Sequence, residues 1–167
     1  MEEQARKTAL RMIPYGIYVM TAEAKGEAPA AATVNWVTQT SFAPPLVAVG
    51  VKTDSGVYAA TRSAGHFVLN MLGKGQQGAA FTFFKPAELE DGKLSGEAIE
   101  WAANGAPILK SAAAAVECKL VEVVELGDHH TFIGEVTGVH LHSQPEGRPD
   151  EAILEMKELG EKVFYGG

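Results

Sequence analysis

The sequence predicts a mainly β fold, an antiparallel barrel of about six strands with a few flanking helices. Three observations carry that expectation. Apolar, β-forming runs recur at residues 16–21, 30–37, 46–51, 66–72, 113–125 and 130–141. Helical spacing of apolar residues is confined to short stretches. Strands and helices do not alternate regularly, as a parallel sheet would require.

Residues 2–12 read as a short helix that stops before Pro14, because the residue preceding a proline is pushed out of the α region. GIYVMT at 16–21 is the first strand, and the polar, breaker-rich EAKGEAP at 23–29 is a hairpin turn into a second strand that runs through Val37. After the polar run 38–41, Pro44 and Pro45 impose an extended entry into LVAVGV, apolar on both faces and so expected to be a central strand ending at Lys52. Asp54 or Ser55 can cap a helix through about Ala64, with Gly65 suited to the left-handed residue that ends it. HFVLNML at 66–72 is the next strand, and 76–84 a helix stopped before Pro86. Residues 85–110 lack a clear period and read as a long loop, with one helical turn around 98–103. In 113–125 a period of two breaks at Leu120 and Val121, which predicts a bulge. A final strand at 130–141 and a capped helix at 150–159 complete the reading.

The chain of 167 residues fits one domain, residues 1–167. Its 46% hydrophobic and 21% charged residues are those of a globular protein. No apolar stretch approaches the roughly 20 residues of a membrane span, and the opening MEEQARKTALRMIPYG has no signal-peptide pattern. The expected location is the cytoplasm, with no membrane partner. A net charge of −7 argues against nucleic acid, whose binding needs a basic stripe that displaces counterions. The lone Cys118 excludes an internal disulfide and fits a buried core thiol.

Gly73, Gly75 and Gly78 spell GxGxxG between a strand and a helix. A dinucleotide fold also needs a second parallel strand with an acidic residue about 20 positions on; Glu88, Glu90 and Asp91 come too early, so a glycine-rich turn is the better reading. Two other clusters bear chemistry. VNWVTQTS at 34–41 gathers amide, indole and hydroxyl groups of the kind that meet a ring with an apolar edge and a carbonyl-rich edge. Taken alone, it reads rather as an ordinary edge strand with a polar turn. KTDS at 52–55 joins a lysine and hydroxyls to a helix start, a phosphate-binding combination, or else a plain N-cap beside a solvated lysine.

With IPYGIYVMT, FVLNML and GDHHTFIGEV in the same order and spacing, these clusters make the sequence resemble the flavin reductase-like family of FMN-binding split barrels, over most of the chain. The resemblance implies a homodimer of six-stranded barrels with FMN near the interface. By position, Thr33, Val34, Asn35, Trp36, Val37, Thr38, Gln39, Thr40 and Ser41 would line the isoalloxazine and ribityl chain. Lys52, Thr53 and Ser55 would hold the phosphate, with Lys85 a further phosphate candidate, and the long loop would partly cover the site. His129, in the Gly-Asp-His motif, would stand near the reacting face and the nicotinamide, where an imidazole can orient a substrate or donate a proton; a hairpin turn residue is the plain alternative. The ending SQPEGRPDEAILEMKELGEKVFYGG departs from that of many flavin reductases and is closer to a ferric-reductase or flavoredoxin-like branch.

The implied function is an oxidoreductase passing reducing equivalents from NAD(P)H through FMN to free flavin, ferric iron (as a chelate) or a partner oxygenase. The competing readings are an FMN-binding electron carrier or flavin store fed by a separate reductase, and an amine-oxidising barrel like pyridoxamine phosphate oxidase. The latter needs a basic substrate pocket that the sequence does not display.

Overall fold

The computed structural model describes residues 1–167. Helix α1 (Glu3–Arg11) is capped by the Glu2 carboxylate, which accepts from the Gln4 and Ala5 N–H groups. Strands β1 (Tyr18–Ala22) and β2 (Ala30–Val34) form the expected hairpin, followed by β3 (Val37–Phe42) and β4 (Pro45–Lys52). Helix α2 (Gly56–Ala64) has Ser55 as its N-cap and a left-handed Gly65 after it, as anticipated. Then come β5 (His66–Met71), the short α3 (Gln77–Thr82), four small strands β6 (Leu89–Glu90), β7 (Lys93–Leu94), β8 (Glu97–Trp101) and β9 (Pro107–Leu109), and the long pair β10 (Ala114–Val124) and β11 (His129–Leu141).

Seven strands make one antiparallel sheet in the order β2-β1-β5-β10-β11-β4-β3. That is one strand more than expected. Residues 38–41 are not a turn but most of β3, whose exposed polar side chains suit a strand at the sheet margin. The second strand accordingly stops at Val34, and Asn35 and Trp36 carry the chain across to β3. β4 is interior to the sheet, flanked by β11 and β3, while β10 holds the middle position. The bulge in β10 falls between Leu120 and Glu122, with a second irregularity at Glu117 and Cys118.

The long loop is a correction. Residues 89–109 form a second, four-stranded antiparallel sheet with no helical turn. Asp91-Gly92 and Ser95-Gly96 each place two successive residues at positive φ, the geometry of tight hairpin turns. The closing helix is also absent: 3₁₀ turns at Pro149–Glu151 and Met156–Leu159 flank an extended stretch. Leu154 there is fully buried, and its backbone donates to Leu72 O and accepts from Ile17 N–H, bonds that an α-helix would forbid. GxGxxG lies in the turn from β5, whose neighbours are antiparallel, with Gly73 bridged to Ile153. No helix is long and apolar enough to cross a membrane.

One core cluster draws on all seven strands of the main sheet and on α2: Met20, Ala32, Val37, Val49, Phe67, Cys118 and Phe132 meet Val57 and Ala60 inside it. A second packs Ile17, Leu72, Phe83, Leu109 and Leu154 between the sheet, α3 and the small sheet. The candidate site lies where β2, β4, α2 and α3 converge between these two cores.

Candidate functional site

Thr33 is fixed by backbone and side chain together. Its N–H donates to Phe83 O at 3.0 Å and its hydroxyl to Ala80 O at 2.6 Å, which ties the end of β2 to α3. Asn35, only 4% exposed, follows at the crossing to β3. Trp36 packs on Gly50 of β4, where an added Cβ would stand 3.1 Å from the indole, and Gly50 N–H donates to Trp36 O. The indole Nε1 is buried with no hydrogen-bond partner. Since a buried donor left unpaired is costly, this orphan marks a place where an acceptor belongs.

Lys52 ends β4 beside His129, its cross-strand neighbour at the start of β11. Lys52 is exposed and its ion pair with Asp54 spans 3.4 Å, a surface contact readily exchanged for another anion. The Ser55 hydroxyl donates to Lys52 O at 2.8 Å and accepts from Tyr58 N–H, fixing the first turn of the nine-residue α2 against the strand end. Thr53 donates through both N–H and hydroxyl to Asp128 O, which joins this corner to the Gly-Asp-His turn.

Thr33, Asn35, Lys52 and Ser55 line one place, whereas Trp36 and Thr53 line neither of its two spaces. A cavity of about 250 Å³ is walled by Thr33, Val34, Asn35, Lys52 and Ser55 together with Ile17, Ala32, Phe83, Phe84, Met156 and Tyr165. A smaller space of about 50 Å³ shares Ala32 to Asn35, Lys52, Ser55 and Tyr165 and adds Gly50, Val51, Val57 and His129. Larger cavities of about 470 and 380 Å³ lie elsewhere and hold none of the residues expected to bind the cofactor.

The other candidates stand apart. Val37 packs against the core of the main sheet, and Thr38, Gln39, Thr40 and Ser41 lie on β3 outside the cavity, where the Thr38 and Gln39 side chains bond only within their own strand. Lys85 lines a separate open hollow with Thr82, Glu88, Glu90 and Ser95. The small sheet contributes nothing to either of the two site spaces.

His129 is held at both ring nitrogens. Asp128 Oδ1 lies 2.8 Å from Nδ1, and Tyr165 bonds to Nε2 through its hydroxyl. A carboxylate can only accept, so Nδ1 carries a proton, which leaves Nε2 as the acceptor for the phenol whenever the ring is neutral. The hydrogen bond from His129 holds the Asp128 carboxyl below its ordinary range, and a charge on that ring acts in the same direction. Burial pushes the Tyr165 hydroxyl up, so it is a neutral donor near pH 7. The Trp36 ring lies 4.6 Å from His129 and 5.3 Å from Tyr165, centroid to centroid.

Tyr165 is the residue the sequence did not reveal. It reaches Asn35 across 130 residues, taking the amide Nδ2–H on its carbonyl oxygen at 3.0 Å, and no local pattern announces such a contact. Phe83 and Phe84 were legible only as the end of a helix, yet both wall the cavity.

The antiparallel sheet thus gathers Thr33, Asn35, Lys52 and Ser55 around one cavity, with the Trp36 indole packed beside it on His129 and Tyr165. Residues 10–156 match the flavin reductase like domain, and the chain belongs to that family. It is 34% identical over 138 residues to the reductase subunit of stachydrine N-demethylase from Rhizobium meliloti strain 1021, covering 81% of this chain and 58% of the relative. Among solved structures, the styrene monooxygenase flavin reductase of Pseudomonas putida S12 superposes with a TM-score of 0.71 at 29% identity, covering 84% of this chain and 89% of the other. An FMN-binding protein from Thermus thermophilus superposes with a TM-score of 0.69 at 25% identity, covering 78% and 72%. The chain spans only 58% and 43% of the lengths of two Rhizobium meliloti relatives that it matches.

Proposed function

We propose that this chain is an FMN-dependent oxidoreductase that passes reducing equivalents from NAD(P)H to a free flavin, a ferric chelate or a partner oxygenase. The observation that carries the reading is the convergence of Thr33, Asn35, Lys52 and Ser55 on one cavity beside His129 and the orphaned Trp36 Nε1. That donor set suits FMN at both ends. Lys52, Ser55 and the first-turn N–H groups of α2 would hold the phosphate, through charge and through the helix dipole. Asn35 Nδ2 and Trp36 Nε1 are donors for carbonyl-type acceptors on a ring edge. When bound, the flavin supplies the hydride-accepting chemistry.

The protein's part is to bind, orient and exclude water. Val34, Phe83 and Phe84 give the cavity apolar walls. Asp128 fixes the His129 tautomer, so that Nε2 is the atom at which a proton is taken up or released beside the substrate. The reductase-component names of the stachydrine and styrene relatives support delivery to a partner oxygenase. We further propose that the seven-strand sheet curls into the split barrel, because one core takes side chains from every strand and Asn35 and Trp36 join its two margins. Exposed Phe42, Leu126, Val139 and Leu141 support a homodimer, and we take the chain as one domain of a cytoplasmic protein.

The visible spectrum of the purified protein, before and after anaerobic NADH or NADPH, tests the reading. A flavin band that bleaches without an added reductase is the expected result; a band that persists would leave a carrier. Lys52→Ala should weaken FMN binding roughly 10- to 100-fold, the worth of a charge-assisted bond of about 1.5–3 kcal/mol. Unchanged affinity, measured by quenching of flavin fluorescence, would move the phosphate elsewhere.

A further inference from the structure

Three contacts made by Tyr165 fall on groups assigned above to a ring ligand. Its carbonyl oxygen accepts from Asn35 Nδ2, its hydroxyl bonds to His129 Nε2, and its ring packs on Trp36. The residue lines both spaces of the site. An aromatic ring with one polar edge thus already stands where a planar ligand would bind.

The segment that carries it, residues 163–167, has no regular secondary structure and is fastened from outside the site. Arg11 of α1 lies 4.3 Å over the Phe164 ring and donates to Gly166 O at 3.1 Å. The fit inside is incomplete. Trp36 Nε1 remains buried without an acceptor even though an added Cβ on Gly166 would come within 3.9 Å of it.

We propose that Tyr165 is a displaceable internal ligand, a plug that a planar heteroaromatic ring must expel to reach Asn35, Trp36 and His129. The inference rests on the flavin reading of the site and adds its selectivity. A ring that only repeats the contacts of Tyr165 gains little by entering. One that also brings an acceptor to Trp36 Nε1 satisfies a donor that the plug leaves unpaired, which favours carbonyl-bearing ring edges over plain aromatic ones. Apparent affinity is then reduced by the fraction of molecules with the plug out, and loosening the plug restores it.

The test is an FMN titration, followed by quenching of flavin fluorescence, on the wild-type chain, Tyr165→Ala and Arg11→Ala. Arg11 lies outside both site spaces, so its substitution frees the strap and leaves the walls intact. Both variants should bind FMN about tenfold more tightly than wild type, with Tyr165→Phe, which keeps the ring and loses the hydroxyl bond, gaining less. Equal or weaker binding in either Ala variant, with the wild type still binding FMN, would overturn the plug and leave the flavin reading standing. Absence of flavin binding in all of them would overturn both.

Discussion

Cys118 shows how completely the protein interior controls a single side chain. It is fully buried on β10, and burial, reinforced by the neighbouring Glu117 charge, pushes its thiol up to about 12. Only the thiolate is nucleophilic, so the folded protein has almost none near neutral pH. Against a chromogenic aromatic disulfide at pH 8, the native chain should stay unreactive while the denatured chain reacts with one equivalent; stoichiometric reaction of the native protein would show that the core opens freely. The same residue scale sorts what the sequence disclosed. Lys52 and Ser55 were legible because a strand end and a helix cap are local patterns, and Val34 and Asn35 because polar groups cluster at a strand end, whereas Thr33 came only with the family resemblance. Tyr165 was illegible, since its role comes from a contact that only the folded chain creates.

At the scale of elements, β11 tolerates close packing only because Gly134 has no side chain. A Cβ there would stand 2.6 Å from Phe67 Cζ and 2.9 Å from Cys118 Cβ, both in the interior. Gly134→Ala should destabilise the protein by about 1–3 kcal/mol, the usual cost of overpacking a filled core. Chemical denaturation at equilibrium checks it; an unaltered midpoint would mean that Phe67 can swing aside. Element identity followed from periodicity for β1, β4, β5, α2, β10 and β11, where apolar runs and caps agree. It failed in residues 89–109 because each small strand is too short to show a period, although Asp91-Gly92 and Ser95-Gly96 carried the hairpin signal. It failed again at 150–159, where helical propensity yields to the bridges with Gly16 and Gly73.

At the scale of the whole molecule, a buried carboxylate joins the small sheet to the large one. Glu117, 6% exposed on β10, accepts from the Asn104 N–H at 2.9 Å and pairs with His140 Nε2 at 2.8 Å. Asn104 in turn donates to Phe67 O of β5, and Gly138 leaves room for the carboxylate, since a Cβ there would lie 2.7 Å from Oε2. Burial alone would raise the Glu117 carboxyl, but the bonds from His140 and the Asn104 and Ala103 N–H groups, with the His140 charge, bring it below the ordinary carboxylate range. Between the lowered folded value and the ordinary unfolded one, the unfolded chain binds more protons, so stability rises with pH across that window. The contribution is complete above the ordinary glutamate range and is lost as pH falls, from below about 5, through the folded value. Thermal melting from pH 7 down to acid should therefore show a steep acid limb in the wild type and a shallower one in Glu117→Gln. At pH 7 the variant should be less stable by about 1–3 kcal/mol for the lost charge-assisted bonds. Amide exchange should show residues 102–106 losing protection before β5 as pH falls, because the clamp holds that segment to the main sheet. Parallel acid limbs in the two proteins would show that the two sheets are held together by apolar packing of Ala102, Ala106 and Ile108 against Val68 and Ala115 instead.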